Sequence, residues 1–281
     1  MKIAITAASG QLGAAIVKAT TQLVGADNVV AVARTPAKAK ALGVEVRPGS
    51  YDDRSALQQA FAGIDAVLLV SGMDAPEKRI EQHRNVIEAA KAAGVRKLIY
   101  TSVQGPEVDS TFSPIVQSNR QTEEDVKASG LDWVIGRNGI YIEPDVEYID
   151  KYQAKGEVAN CAGAGLCGYT TRSELACAYA HLLTEPKHNG HTYNLHGEAI
   201  SQAALAQYLS DAFGVPLRYR PMEVEAFRAD RIAELGDFIG NVIAGIYQGI
   251  RTGAYNAPSD FAQAAGRAHK SWSAYFQSLK T

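Results

Sequence analysis

The apolar positions of residues 1–135 fall into short, fully apolar runs that alternate with amphipathic segments. Ile3–Ile5, Val29–Ala33 and Ala66–Val70 are apolar throughout, which is typical of parallel strands covered on both faces. In 12–23 and 77–93 the apolar residues instead recur at helical spacing. The pattern predicts right-handed βαβ units and therefore an α/β fold with a doubly wound parallel Rossmann sheet.

The same reading assigns the rest of this part of the chain. Further strands are predicted at residues 44–48, 97–101 and 131–135, and further helices at 37–42, 55–61 and 122–129. Beyond Gly139 the rhythm becomes aromatic and irregular, with Tyr141, Tyr148 and Tyr152, and then glycine-rich at 162–165. Helical patterns follow at 171–183, 202–213 after Ser201 as N-cap, 226–235, 238–251 and from 271, with extended segments at 192–195 and 216–220.

The first predicted turn carries a dinucleotide-binding pattern. Ala7-x-x-Gly10-x-x-Gly13 is a relaxed form of Gly-x-Gly-x-x-Gly, placed between a strand and a helix. Such a turn offers a pyrophosphate unpaired N–H groups and the positive end of a helix dipole. We therefore assign as cofactor-binding residues Thr6, Ala7, Ser9, Gly10, Gln11, Leu12 and Gly13.

Arg34 ends the second predicted strand, with Lys38 and Lys40 close behind it. An acidic residue here would bind the ribose 2′-hydroxyl of NAD, whereas Arg accommodates the 2′-phosphate of NADP. The alternative is that Arg34 is a solvated residue at the start of a loop. We predict NADP(H) as the cofactor.

The chain then divides into an NAD(P)-binding Rossmann domain, residues 1–139, and a smaller, mostly helical substrate-binding lobe, residues 140–281, from which segments can rejoin the sheet.

Polar residues also follow the other predicted strands. In a doubly wound sheet the ligand lies beyond the carboxyl ends of the strands, so these residues are candidates for cofactor and substrate contacts. For Asp52 and Ser102 a helix-capping role is an equally good interpretation. The additional cofactor-binding candidates are Asp52, Ser71, Gly72, Thr101, Ser102, Asn138, Gly139 and Tyr141.

Charge, hydropathy and cysteine content bear on the partners and the compartment of the protein. A formal net charge of −2 with interspersed signs gives no reason to expect nucleic acid or an anionic membrane as a partner. No apolar run approaches the ~18 residues needed to span a bilayer. Cys161, Cys167 and Cys177 lack Cys-x-x-Cys spacing and fit reduced thiols, so we expect a cytoplasmic protein. The histidines around a predicted surface turn at 186–190 lack further ligands, and no metal site is predicted.

The usual catalytic pair of short-chain dehydrogenases, Tyr-x-x-x-Lys, is absent from the sequence. Tyr148 and Lys151, like Tyr152 and Lys155, are three positions apart. Alcohol oxidation, sugar epimerisation and dehydration all need a positioned proton carrier, so they are disfavoured. Hydride transfer to a strong electrophile such as a quinone or a cationic dye remains compatible, because solvent can supply the proton.

Several segments resemble one family: Thr6–Gly13, Val32–Ala39, Gln82–Val95, Tyr100–Ser102, Arg137–Tyr141 and Thr171–Ala176. Together they resemble the NmrA-like branch of atypical short-chain dehydrogenases, with its bacterial NADPH-dependent quinone reductases and triphenylmethane dye reductases. The resemblance implies that the first loop holds the pyrophosphate and that Arg34 reads the 2′-phosphate. It further implies that the loop after the fourth strand and Asn138–Tyr141 approach the nicotinamide, and that quinones are reduced by two electrons.

Two departures from the family pattern stand out. Relatives usually have Gly where this chain has Ala7, so we expect the turn to keep a conformation that a Cβ tolerates. Asn119 stands about where many relatives have His or Lys, and it can hydrogen-bond a substrate oxygen but cannot act as an acid. Together with Asn138 and Tyr141 of the segment that approaches the nicotinamide, Asn119 is a candidate for a catalytic role.

The leading hypothesis is an NADPH-dependent quinone-type reductase that acts on a small molecule as a monomer or homodimer. The alternative from another class is a non-catalytic NADP(H)-binding redox sensor that signals to a protein partner. A third possibility is reduction of an activated carbon–carbon double bond or of an aromatic metabolite.

Overall fold

The computed structural model describes residues 1–280, in which strands and helices alternate along the chain. The strands are β1 Ile3–Ile5, β2 Val29–Ala33, β3 Glu45–Pro48, β4 Ala66–Val70, β5 Lys97–Val103, β6 Asp132–Asn138, β7 Ile140–Tyr141, β8 Glu157–Asn160, β9 Leu166–Thr170, β10 His191–Leu195, β11 Ala199–Ser201 and β12 Arg218–Pro221. The α-helices are α1 Gln11–Val24, α2 Arg54–Ala60, α3 Pro76–Ala92, α4 Ser113–Lys127, α5 Glu143–Glu147, α6 Ile149–Lys155, α7 Arg172–Thr184, α8 Gln202–Phe213, α9 Val224–Leu235, α10 Asp237–Arg251, α11 Phe261–Ala265 and α12 Trp272–Gln277.

The central sheet has seven strands in the order β10-β6-β5-β4-β1-β2-β3. All of its pairings are parallel. The direction of winding reverses between β1 and β4, where Ile3 is in register with Ala66 on one side and with Val29 on the other. In an open parallel sheet, a crevice forms beyond the carboxyl ends of the strands at such a switch point, and ligands bind there.

Each face of this sheet buries its own core. Alternate residues of β1 point to opposite faces, so Ile3 and Ile5 belong to one core and Ala4 to the other. The first core includes residues of α1, α7 and α11, and the second includes residues of α2, α3 and α4. The central strands are therefore apolar throughout because both of their faces are covered.

A third core, built around Ile142, Tyr169, Leu205 and Trp272, lies outside the central sheet. It holds two small sheets, β11-β9-β7 and β12-β8. The third core also includes Ile250 of α10 and Phe276 of α12. This C-terminal part is largely helical, but its short strands at β7, β8 and β9 lie in the stretch whose pattern gave no strand prediction.

The predicted fold class is confirmed, and most element predictions agree with the structure to within a few residues. Ser201 caps α8 as expected, because its hydroxyl accepts a hydrogen bond from the Ala204 N–H. The helix predicted at 122–129 instead begins at Ser113, with Pro114 in its first turn. The boundary between residues 1–139 and 140–281 stays a prediction, and residues beyond it supply β10 and α7 to the central layers.

Candidate functional site

The turn after β1 presents the amino-terminal end of α1 without a side-chain cap. Gly10 occupies the N-cap position, its N–H donates to the carbonyl of Ala7 at 2.9 Å, and it has no side chain that could cap the helix. Ser9, Gly10 and Gln11 are exposed, whereas the side chain of Leu12 packs in the first core. The first N–H groups of α1 are thus free of side-chain partners and suit an anion.

The backbone of this turn is tight. Ala7 has a φ of +47°, so it lies in the left-handed region that favours glycine, and the expectation that the turn keeps a conformation suited to a Cβ is wrong. A Cβ at Gly13 would overlap the Ala7 carbonyl group, which explains why glycine is needed there. The space that the two glycines leave open fits the close approach of a pyrophosphate to the backbone.

Thr6 is fully buried, and its hydroxyl fastens β1 to β4. Its Oγ1 donates to the carbonyl of Leu68 at 2.9 Å and accepts from the N–H of Val70 at 3.0 Å. The Tyr51 hydroxyl lies against the same oxygen and donates to the carbonyl of Val70 at 2.7 Å. The hydrogen bonds of the Thr6 side chain are therefore used to join β1 to β4 at the switch point of the sheet.

Arg34 is exposed where β2 ends, and within residues 1–280 its side chain forms no hydrogen bond or ion pair. Asp52, beyond β3, is also exposed and pairs with Lys78 at 2.8 Å and with the Gln82 amide at 3.1 Å. Lys78 first, and then Gln82, hold the pKa of Asp52 below its usual range. The capping alternative for Asp52 is wrong, because Asp53 caps α2 by accepting from the N–H of Ala56.

Backbone N–H groups that follow β4 are fixed by buried side chains. The Ser71 N–H donates to Thr101 Oγ1 at 2.8 Å, and the Gly72 N–H donates to His83 Nε2 at 3.0 Å. Since Nε2 accepts, the proton is on Nδ1, which donates to Thr122 Oγ1 at 2.9 Å. Burial, with a contribution from Arg79, lowers the pKa of His83 to about 3, so the ring is neutral.

Asn119 is buried beside this loop. Its Oδ1 accepts from the Tyr100 hydroxyl at 2.6 Å and from the Ser71 hydroxyl at 3.2 Å. Its Nδ2 donates to the carbonyl of Ile115 at 2.8 Å. The structure thus brings Asn119 to the carboxyl ends of β4 and β5, with its amide already hydrogen-bonded.

Ser102 and Arg137 meet at a buried carboxylate, Glu123. Arg137 donates to both of its oxygens, at 2.9 and 2.6 Å, and the Ser102 hydroxyl donates at 2.6 Å. Burial alone would raise the pKa of Glu123, but Arg137, Ser102 and Arg120 outweigh it and hold the pKa below its usual range. Ser102 lies within β5 and caps no helix, so its capping alternative is wrong.

Asn138 and Tyr141 lie together at the end of β6. Asn138 Oδ1 accepts from the Tyr179 hydroxyl at 2.6 Å, and its Nδ2 donates to the Tyr141 hydroxyl at 3.4 Å. Burial raises the pKa of Tyr141, and the Arg172 guanidinium lies 5.2 Å from its ring centroid. Gly139 has no room for a Cβ, which would overlap the carbonyl of Gly168 and the His196 side chain.

The predicted residues therefore gather along one edge of the sheet, while four partners escaped the sequence analysis. Tyr51, His83, Glu123 and Tyr179 are all buried or partly buried and orient the candidates. His83 lies in the Gln82–Val95 segment that carried the family resemblance, and that resemblance is the sequence feature that could have pointed to it.

In the part of the chain that the structure describes, no group of three or more His, Cys, Asp or Glu could hold a metal ion. No helix there is long and apolar enough to cross a membrane.

Comparison with known proteins agrees with this geometry. A family model described as NAD(P)H-binding matches residues 7–186. The chain belongs to this NAD(P)H-binding family. Its sequence is 36% identical over 231 residues to quinone oxidoreductase 2 of Escherichia coli strain K12, covering 81% of this chain and 80% of that protein.

Solved structures of the same kind superpose over almost the entire NAD(P)H-binding chain. Triphenylmethane reductase of Citrobacter sp., complexed with NADP(H), matches with a TM-score of 0.90 at 30% identity, covering 100% of each chain. An NADPH-dependent quinone oxidoreductase from Escherichia coli, complexed with NADPH, matches with a TM-score of 0.87 at 30% identity, covering 99% and 100%. The predicted family resemblance and the nicotinamide cofactor are thus confirmed, while the contact made by each site residue stays a prediction.

The positive φ of Ala7 predicts that glycine fits this position better. Left-handed backbone costs an alanine about 1–2 kcal/mol, and glycine's greater freedom in the unfolded chain returns about 0.5–1 kcal/mol. Ala7→Gly should therefore raise the free energy of unfolding by about 0.5–1 kcal/mol, as measured by urea denaturation. Ala8→Gly is the matched control, because Ala8 is fully buried and has a negative φ, and it should lower stability. A loss of stability in Ala7→Gly would contradict the assigned strain.

The neutral state of His83 predicts a pH dependence of stability. Its folded pKa of about 3 lies below the unfolded value of about 6.5, so only the unfolded chain takes up this proton between these limits. This contribution to stability is present above pH 6.5 and is lost as pH falls toward 3, by at most about 1.4 kcal/mol per pH unit. Urea unfolding at pH 6.5, 5.5 and 4.5 should show a shallower decline for His83→Gln than for the wild type. Equal slopes for His83→Gln and the wild type would refute the assignment.

Proposed function

We propose that the protein is an NADPH-dependent oxidoreductase that transfers hydride directly to a quinone-like or other electrophilic aromatic acceptor. One observation carries this proposal: the histidine and the two carboxylates assigned to the carboxyl edge of the sheet are already engaged within the protein. Both nitrogens of His83 are hydrogen-bonded, Glu123 is paired with Arg137, and Asp52 is paired with Lys78. This arrangement positions neighbouring groups and suits an acceptor that needs no enzymatic acid.

The residues that would hold the cofactor are those of the first turn and Arg34. The uncapped start of α1 and the space above Gly10 and Gly13 suit the pyrophosphate, and the exposed guanidinium of Arg34 suits the 2′-phosphate. The predicted residues of the loops after β1, β4, β5 and β6 are also assigned as contacts of the cofactor.

The bound cofactor supplies a hydride, and the quinone takes up that hydride and one proton to become a hydroquinone. Tyr141 is suited to place the acceptor. Its oxygen accepts from Asn138, and burial keeps its proton on, so its own O–H can donate to an acceptor oxygen. Asn138 in turn is held by Tyr179, while Asn119 accepts a hydrogen bond from the Ser71 hydroxyl in the loop after β4. Solvent supplies the proton.

The names of the relatives support this acceptor class. Quinone oxidoreductase 2 of Escherichia coli is named for quinones, and the triphenylmethane reductase of Citrobacter sp. is described in connection with triphenylmethane dyes. We further propose that the chain works in the cytoplasm on a small molecule, as a monomer or homodimer, without nucleic acid as a partner. Its three free cysteines support the cytoplasmic assignment, and its net charge of −2 supports the absence of nucleic acid as a partner.

Steady-state oxidation of NADPH by the purified protein with a panel of small quinones tests the proposal. Turnover is expected, with NADPH preferred over NADH. The sharpest contrary result is tight NADPH binding by calorimetry with no turnover on any quinone. That result would favour the non-catalytic redox sensor and direct attention to a protein partner.

Arg34 is expected to select NADPH. Arg34→Ala should raise the dissociation constant of NADPH by about 10- to 100-fold, because a charge-assisted phosphate contact is worth roughly 1.5–3 kcal/mol. The dissociation constant of NADH should change by less than about twofold, since NADH lacks the 2′-phosphate. Lys38→Ala, another exposed cation of the same segment, is the matched control. Equal losses for both cofactors in Arg34→Ala would remove Arg34 from this role.

A further inference from the structure

Three buried polar side chains near the end of β5 have no hydrogen-bond partner in the described part of the chain. Gln104 is 4% exposed, Ser113 5% and Tyr255 0%. Both amide atoms of Gln104 and the hydroxyl oxygens of Ser113 and Tyr255 are unpartnered. Native proteins pair nearly all such groups, because burying them unpaired costs stability. Three together indicate that something outside the chain completes them.

The three residues come from segments that pack around Gly105. A Cβ at Gly105 would lie 3.1 Å from the Tyr255 hydroxyl and 2.8 Å from Val116 Cγ2, so both groups press against this glycine. Gln104 is its neighbour in the chain. Ser113 precedes Val116 by three residues and therefore shares its face of α4. We call Gln104, Ser113 and Tyr255 the polar triad.

The polar triad lies between the carboxyl edge of the central sheet and the third core. The Gln104 N–H donates to the carbonyl of Asn138 at 2.9 Å, so the Gln104 backbone lies beside that of a residue assigned to the nicotinamide end. Tyr255 belongs to the third core, and its carbonyl accepts from the N–H of Gly168 at 2.8 Å. The residues of the polar triad therefore come from both the central sheet side and the third core.

The chemistry of the polar triad is neutral. Its donors are two hydroxyls and an amide NH₂, and its acceptors are those hydroxyl oxygens and Gln104 Oε1. Burial raises the pKa of Tyr255 far above its usual value, so its proton is retained. No ionised side chain is among the three, so a charged ligand group would gain no counter-ion from them. Carbonyl oxygens would accept from the donors, and a hydroxyl formed on reduction could donate to Gln104 Oε1.

We propose that the polar triad of Gln104, Ser113 and Tyr255 binds the oxygen atoms of the acceptor and selects quinones over acceptors without oxygen. This assignment rests on the proposed function and names residues that specify its substrate. The unpaired groups keep the free protein less stable than it could be, and the bound acceptor satisfies them.

The test compares two isosteric variants, Tyr255→Phe and Gln104→Met, with the wild type. Duroquinone is the probe, because its fully substituted ring does not alkylate the free cysteines. Each variant should raise the KM for duroquinone about 5- to 10-fold, the loss of one or two neutral hydrogen bonds. The dissociation constant of NADPH should stay within about twofold, and the midpoint of urea unfolding should be unchanged or higher.

Tyr169→Phe is the matched control, because the Tyr169 hydroxyl is equally buried but accepts from the Gln202 amide at 3.0 Å. It should lower the unfolding midpoint and leave the KM for duroquinone unchanged. An unchanged KM in both triad variants would overturn the assignment while the reductase function stands. The assignment would also be overturned if the triad variants had lower unfolding midpoints, as Tyr169→Phe is expected to have. That result would show that buried water already completes the triad in the free protein.

Binding of duroquinone to the NADP⁺-loaded protein, followed by tryptophan fluorescence, separates this inference from the proposed function. If the wild type binds duroquinone but does not turn it over, and both triad variants bind it more weakly, the triad assignment holds and the reductase function fails. If the loaded wild type binds no duroquinone, the triad assignment is overturned.

Discussion

The candidate site depends on the joint between β1 and β4, which the hydroxyl of Thr6 closes. At the switch point of a doubly wound sheet the connections after the two central strands leave to opposite faces, and the crevice for a ligand opens between them. Thr6 adds two side-chain hydrogen bonds to the backbone of β4 just where the ladder ends. The turn with Gly10 and Gly13 and the loop with Ser71 and Gly72 both extend from this joint, so their separation is fixed before any ligand arrives.

Around this joint, the protein uses buried polar side chains to place backbone groups rather than to present reactive atoms. His83 fixes the Gly72 N–H, Thr101 fixes the Ser71 N–H, and Glu123 holds Ser102 and Arg137. Each of these side chains has its hydrogen-bonding capacity largely filled within the fold. A site of this kind lowers the entropic cost of assembling cofactor and acceptor, and it leaves the driving force of the reaction to the acceptor.

The sequence predicted the strands of the central sheet well because burial on both faces leaves an unmistakable apolar run, as in Val29–Ala33. The roles of Arg34 and of the first turn in cofactor binding stay predictions, and they rest on the particular residues and spacing that phosphate binding requires. The sequence did not predict the short strands Ile140–Tyr141 and Leu166–Thr170, whose pairing depends on distant segments and not on local pattern. It also missed the left-handed backbone of Ala7, since the residue type there favours the opposite expectation. Tyr179 and Gln104 could not be linked to the site from sequence, because only the fold brings them to Asn138.

The return of the chain to the central sheet at β10 bears on how the fold could be divided. Leu195 is in register with Asn138, so β6 is an interior strand only because β10 covers its outer side. A fragment that ended at residue 139 would leave β6 with a full row of unpaired backbone groups beside apolar Val134 and Ile135. Such an open edge is a template for intermolecular strand pairing. The covering of this edge of the central sheet thus depends on a segment that follows β7, β8 and β9 in the chain and lies more than 50 residues beyond β6.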